Sequence, residues 1–330
     1  MRVLVAALLL SLAALGPARA EVGEIRITRQ PGIIYLAVVV MEQQKLVEKA
    51  GAALGIPGLR ATYSLFGGGG AATDALLSGN VDVVTTGVSN MLLLWDRTKG
   101  GVKGFGSSSA TPMWLLSNNP NVKTLKDLSP SDKIAVPTVK VSTQAILLQM
   151  AARKLYGDAD FGHFDAMTVT LGHPDAQSAL SSGGGGGLTG HFSGSPFQQA
   201  ESKLPGMHVI ATSTDIIGGP VSNAVYFGTQ KFHDANPQVV AAFLKAAREA
   251  DRFIAEHPEE ACAMYVAATG EKAPVGELVA MIRQPDMYYD MTPVGTMATA
   301  LHMADIKVLK TRPASWKDYF FDDAHGLAGN

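Results

Sequence analysis

The amino-acid sequence predicts an α/β protein of two lobes, each a mixed sheet flanked by helices, with two crossings between the lobes forming a hinge. Three observations predict it. Strand-like and helix-like periodicities alternate, which builds parallel sheets covered on both faces. The alternation completes one round, restarts near residue 113 and returns to a strand near residue 221. The roughly 310 residues after the first twenty exceed what one hydrophobic core usually organises. Lobe one takes residues 21–110 and 221–330, and lobe two takes residues 111–220.

The elements follow in order. Glu24-Ile25-Arg26-Ile27-Thr28 alternates with period two and is a strand. Gln30-Pro31-Gly32 is a turn. Leu36, Val39, Val40, Leu46, Val47 and Ala50 recur at helical spacing across residues 35–54, and Gly55-Ile56-Pro57-Gly58 stops that helix. Residues 60–65 form a second strand. The glycine run 67–70 then opens a helix through Asp74, Leu76 and Leu77. Residues 81–86 are a third strand and residues 88–95 a helix.

In the second round, strands at 113–117, 133–137, 167–171, 188–192 and 208–211 accompany helices at 142–156 and 174–181. Residues 118–133 are a polar connection around a short helical turn at Leu125-Lys126-Asp127. A strand at 221–228 then leads into helices at 237–257, 258–269, 274–283 and 292–304. Pro237, Pro258 and Pro274 stand at first turns, where a missing N–H costs nothing. The crossings fall near residues 107–112 and 218–221. Trp316 and Tyr319-Phe320-Phe321 read as a tail docked on a lobe.

Arg2, an apolar run over residues 3–15, the Gly16-Pro17 break and Ala18-Arg19-Ala20 fit a cleaved secretory leader over residues 1–20, giving a periplasmic protein. That run is too short to span a bilayer, and no later stretch reaches about 20 apolar residues. No Cys adjoins the cleavage site, which argues against a lipid anchor. The net charge of −2 lacks the basic footprint of a nucleic-acid binder. Cys262, the one cysteine, has no partner for an internal disulfide and sits in a helix as apolar filler.

Strand–Gln30-Pro31-Gly32, then Leu76-Leu77-Ser78-Gly79-Asn80-Val81-Asp82-Val83, then Thr86-Gly87-Val88-Ser89-Asn90 resemble the solute-binding proteins of ABC transporters for nitrate, taurine and alkanesulfonates. Thiamine-precursor binding proteins share that fold. Lys133-Ile134-Ala135-Val136-Pro137, followed by Ser142-Thr143, is similar to the family's second-lobe binding turn. The resemblance covers nearly the whole chain after residue 20. It implies a periplasmic binding protein fold of type II-like organisation, closure about a hinge, and an ABC permease with its ATPase as partners. Two features depart from the family. Val141-Ser142-Thr143 stands where the family often has Gly-Ser-Thr, and the glycine runs 67–70 and 183–187 are long for their turns. These runs mark either an enlarged or altered pocket or a recombinant variant.

Ligands of open α/β sheets bind outside the carboxyl ends of the strands. In lobe one that rule selects Gly32, Ile33, Gly68, Gly69, Ser89 and Asn90; in lobe two it selects Lys140, Ser142, Thr143, His173, His191 and Ser193. Several of these turns open helices, whose free N–H groups and dipoles favour an oxyanion. A sulfonate, carboxylate or nitrate is the natural ligand class. Ser142 is at least an N-cap worth about 1 kcal/mol. A metal would need three or four converging ligands, and neither a His-x-x-x-His nor a Cys pair is present. No cofactor is expected.

The sequence favours a binding protein over an enzyme on the same fold. Pyrimidine-synthase-like relatives carry a cysteine-rich motif that a single Cys cannot supply. Lyase-like relatives are cytosolic, against the leader. No Gly-x-Ser-x-Gly elbow marks a hydrolase. A ligand sensor for a receptor stays open as an alternative.

Overall fold

The computed structural model describes residues 21–330; the leader read at residues 1–20 lies outside them. Strand β1 (Glu24–Arg29) lies parallel to β2 (Arg60–Leu65), in register from Glu24 opposite Arg60 to Arg29 opposite Leu65. Ile27 also bridges Val83 in parallel, which brings β3 (Val84–Thr86) to the other side of β1. Asp82 secures that edge: its carboxylate accepts from the Arg26 backbone N–H at 2.9 Å and from the guanidinium at 2.9 and 2.7 Å. Strand β10 (Ser222–Thr229) runs antiparallel between β3 and β4 (Val102–Ala110).

The second sheet has the order β7-β6-β8-β5-β9, from β5 (Trp114–Ser117), β6 (Ile134–Val136), β7 (Thr168–Thr170), β8 (Gly190–Ser193) and β9 (His208–Thr212). Strand β6 is parallel to β7 and β8, and β5 is antiparallel to β8 and β9. The two sheets therefore repeat one plan. Three parallel strands sit in the order second, first, third, and the strand entered after a crossing (β10 or β5) inserts antiparallel beside the third. The chain passes between sheets at residues 111–113 and 218–221. Asn223 ties these passages together, its Nδ2 donating to Thr111 O at 3.1 Å and to Thr111 Oγ1 at 2.6 Å.

The expected helix over residues 35–54 is two helices, α1 (Leu36–Gln44) and α2 (Leu46–Ala53), separated at Lys45 in the left-handed region (φ 52°). The break re-aims the chain. Residues Leu36 to Met41 of α1 are buried all round, while α2 buries only Leu46, Val47, Ala50 and Gly51. Both helices share a core with the later helices Pro237–Glu256 and Pro258–Thr269. Strand β10 divides the packing by its period of two. Tyr226 enters that core, and Val225 and Phe227 enter a second one with Leu92, Trp95 and Phe320. Cys262 is buried as filler, and burial pushes its thiol up to about 12. No helix among the described residues is long and apolar enough to cross a membrane.

Strand β4 escaped the sequence reading. Its Gly104-Phe105-Gly106-Ser107-Ser108-Ser109 reads as loop composition, yet it is a buried strand. The small residues make room. A Cβ on Gly104 would stand 2.4 Å from the Phe320 ring, and one on Gly106 2.7 Å from Met291. The aromatic tail does dock as expected: Tyr319, Phe320 and Phe321 are buried, and Trp95 Nε1 donates to Asp318 O at 3.1 Å. The last long helix, Thr296–Asp305, starts later than the expected residue 292. Its first N–H groups, on Thr296 and Met297, are taken by Asn330 O.

The Gly104 contact yields a direct test. Gly104→Ala should lower stability by about 1–3 kcal/mol through overpacking, read as a lower urea midpoint with an unchanged slope. A variant as stable as the wild type would mean that Phe320 does not lie on β4.

Candidate functional site

A cleft between the two sheets is lined on one side by Gln30, Ile34, Tyr35, Gly69, Thr86, Gly87, Asn90 and Asn223, and on the other by Met113, Pro137, Thr138, Ser142, Thr143, Gln144, His173 and Gly194. Four helices begin on its walls: α3 (Gly69–Leu77), α4 (Val88–Arg97), α5 (Thr143–Tyr156) and α6 (His173–Ser181). They do so because each follows a parallel strand, so its N-terminus meets the carboxyl edge of its sheet. Three of the four N-caps are glycine, namely Gly68, Gly87 and Gly172, and lack a side-chain cap. The first-turn N–H groups of these helices are thus left without an internal acceptor. Ser142 caps α5, accepting from Ala145 N–H at 3.3 Å.

Glycine also sets how closely the walls approach. A Cβ on Gly69 would lie 2.4 Å from Thr86 Oγ1 and 2.6 Å from Asn90 Nδ2, and one on Gly87 2.5 Å from Thr143 Oγ1. The lobes touch across the cleft. Ser89 Oγ donates to Val141 O at 2.8 Å and lies 3.3 Å from Thr143 Oγ1, and Ile33 N–H donates to Ser195 O at 3.1 Å.

Of the residues selected from the sequence, Gly69, Asn90, Ser142, Thr143 and His173 line the cleft. The others stand beside it. Gly32 (φ 127°) and Ile33 form the contact to Ser195, Gly68 caps α3 against Pro137 O, and Ser89 joins the lobes. Lys140 is exposed with a left-handed backbone (φ 64°), outside the lining. His191 and Ser193 are fully buried behind the wall. Gly184, Gly186 and Gly187 adopt positive φ in a turn between α6 and β8, and residues 183–187 contribute nothing to the lining.

Sequence reasoning missed Tyr35, Thr86, Gln144 and Asn223. Asn223 had a signal, the one amide in the strand-like run Val221-Ser222-Asn223-Ala224-Val225. Gln144 had none, because a glutamine in a first helical turn is ordinarily solvated.

The lining carries hydroxyls and amides, and its titratable members are His173 and Tyr35. Behind it lies a buried chain. His173 Nδ1 is 2.8 Å from His191 Nε2, and His191 Nδ1 is 2.7 Å from Glu201 Oε1. Glu201 ends the short helix α7 (Phe197–Glu201) and is fully buried, as is His191. Burial drives His191 down to about 3 and His173 well below the usual imidazole range, so both rings are neutral. Burial also pushes the Glu201 carboxyl up to about 8. Among the described residues no group of three or more His, Cys, Asp or Glu is placed to hold a metal.

The histidines and the carboxyl act in opposite directions on the stability curve. Between the depressed histidine values and the ordinary 6.5, the unfolded chain binds more protons, so stability rises with pH. Between the ordinary 4.5 and the raised value of about 8, native Glu201 keeps a proton that the unfolded chain loses, so stability falls. Glu201→Gln removes only the falling arm. A tenfold difference in proton affinity between folded and unfolded chain is worth ~1.4 kcal/mol, so the variant should gain a few kcal/mol on the wild type between pH 5 and pH 8.5 in urea melts. A gap that stays constant with pH would mean that the native Glu201 carboxyl ionises at its ordinary value, as it does in the unfolded chain.

The sequence matches the profile of the NMT1-like family over residues 16–269. No curated protein sequence matches the chain. Among solved structures, the alkanesulfonate-binding protein SsuA from Xanthomonas axonopodis pv. citri bound to MOPS aligns with a TM-score of 0.69 at 17% identity, over 89% of this chain and 96% of that one. The periplasmic aliphatic sulphonate binding protein SsuA from Escherichia coli aligns at 0.67 and 18%, over 93% and 100%. The periplasmic nitrate-binding protein NrtA from Synechocystis PCC 6803 aligns at 0.65 and 13%, over 91% and 84%. At these identities the likeness is one of fold, the periplasmic binding protein fold that the sequence predicts. The family profile spans well over half of the chain, and the chain belongs to the NMT1-like family.

Proposed function

We propose that the chain is the solute-binding component of an ABC importer, exported to the periplasm by its first twenty residues, and that it holds a small oxyanion such as a sulfonate, nitrate or carboxylate between its lobes. One observation carries this reading: four helix N-termini, three capped only by glycine, converge on a cleft lined by hydroxyls and amides. Such ends present unpaired N–H groups and the positive pole of the helix dipole. The solved structures of similar fold include proteins named for alkanesulfonate and nitrate binding, which supports the ligand class.

The mechanism is closure. Residues 21–110 with 221–330 form one lobe and residues 111–220 the other, turning about the passages at 111–113 and 218–221. Ligand bridges helix ends from both lobes, so the closed state gains contacts that the open state lacks. Gly69, Asn90, Ser142, Thr143 and His173 are the contact residues, with Gly32, Ile33, Gly68 and Ser89 setting the approach of the walls. The closed complex then docks on a permease coupled to its ATPase.

A thermal-shift screen with ethanesulfonate, taurine, nitrate and benzoate tests the reading, because a ligand of the native state raises the melting temperature. At least one should do so without being turned over. Replacing Ser142 and Thr143 together with alanine should weaken its binding at least tenfold, about 1.4 kcal/mol, in a variant that still melts cooperatively. Unchanged affinity would remove the α5 N-terminus from the site, and no shift with any anion would overturn the function.

A further inference from the structure

The buried chain behind the cleft wall determines which hydrogen-bonding character the wall presents. His173 Nε2 faces the cleft, 3.5 Å from Gln144 Nε2 and 4.0 Å from the Cβ position of Gly194, two residues of the lining. Its ring is held by stacking on Phe197, with centroids 5.6 Å apart. Its other nitrogen is committed to His191, and His191 to Glu201.

With both imidazoles neutral, each carries one proton, and two arrangements satisfy every contact. If Glu201 is ionised, it accepts from His191 Nδ1–H. His191 Nε2 then accepts from His173 Nδ1–H, and His173 shows the cleft a bare Nε2 lone pair. If Glu201 is protonated, its O–H donates to His191 Nδ1. His191 Nε2–H then donates to His173 Nδ1, and His173 shows the cleft an Nε2–H. One proton gained at Glu201 thus converts the group at the wall from acceptor to donor, with each ring keeping a single proton. The Gln144 amide serves either state by turning its NH2 or its oxygen toward the ring.

We propose that Glu201 and His191 are positioning residues that hold a proton on His173 Nε2, so that the cleft selects a ligand accepting a hydrogen bond there and loosens its hold when Glu201 ionises. The inference rests on the solute-binding reading above. The protonated arrangement leaves no net charge in the wall, whereas the ionised one buries a carboxylate with no cation against it, a costly state. The neighbouring elements supply none among the described residues. Strands β5 and β6 carry no titratable side chain and β8 carries only His191. Asp175 on α6 is exposed, as is Lys203, which lies just past α7 and pairs with Glu277 at 2.7 Å. Lys133 precedes β6 and is half-buried. Burial raises the Glu201 carboxyl to about 8, which puts the changeover just above neutral pH.

The experiment uses the mature chain labelled with 15N-histidine, with His173→Gln and His191→Gln samples to assign the rings. In the wild type, both rings should be Nε2–H tautomers at pH 6 and convert to Nδ1–H as the pH rises to 9.5. In Glu201→Gln, neither ring should change tautomer over that range. The binding arm titrates ethanesulfonate, which stays ionised throughout, by calorimetry. Wild-type affinity should fall at least tenfold from pH 6 to pH 9.5, while that of Glu201→Gln varies less than twofold. Tautomers that do not change in the wild type, or that change equally in the variant, overturn the proposal. So does ethanesulfonate binding that is independent of pH. Tautomers that switch in a chain binding neither ethanesulfonate nor nitrate would leave the relay standing and overturn the solute class instead.

Discussion

In a parallel strand–helix unit the helix begins where the strand ends, so every such helix of a sheet points its N-terminus at the same edge. Both sheets here follow the order second, first, third for their parallel strands, and both turn that edge toward the other lobe. The cleft inherits its character from this constraint before any side chain is chosen. Backbone N–H groups without internal acceptors gather at one place and need a partner. Glycine at three of the caps keeps them open and lets Gly69 and Gly87 approach the facing hydroxyls.

The antiparallel insertions do the complementary work. Strand β5 enters the second sheet as soon as the chain leaves β4, and β10 enters the first as soon as it returns. Each brings the crossing segment into a sheet, so the passages are anchored at both ends. Asn223 and Thr111 join the two passages beside the cleft.

Behind the wall, fully buried polar groups form a line of hydrogen bonds inside lobe two. Their neutrality follows chiefly from burial: a low-dielectric surrounding disfavours the charged form of an acid and of a base alike. That condition makes the line a carrier of one proton rather than an ion pair. Burial also raises the Asp251 carboxyl well above the usual carboxylate range, but Asp251 is not among the residues that line the cleft.

Periodicity alone placed most strands and helices, because an amphipathic face must be buried whatever it packs against. Gly69, Asn90, Ser142, Thr143 and His173 were also within reach of the sequence, since strand-end turns are fixed by the order of elements. What composition hid was set by packing across long separations. Strand β4 is small-residued because Phe320 and Met291, some two hundred residues away, lie on it. Lys45 breaks a helix whose pattern runs on unbroken. The sequence also set His191 and Ser193 beside His173 as wall residues, whereas the pleat of β8 turns them inward, and only there does His191 meet Glu201. Local pattern determined the elements and the edge where a ligand would sit. The tertiary structure decided which side chains reach that edge and which protons they carry, because burial and contact between distant segments are properties of the assembled chain.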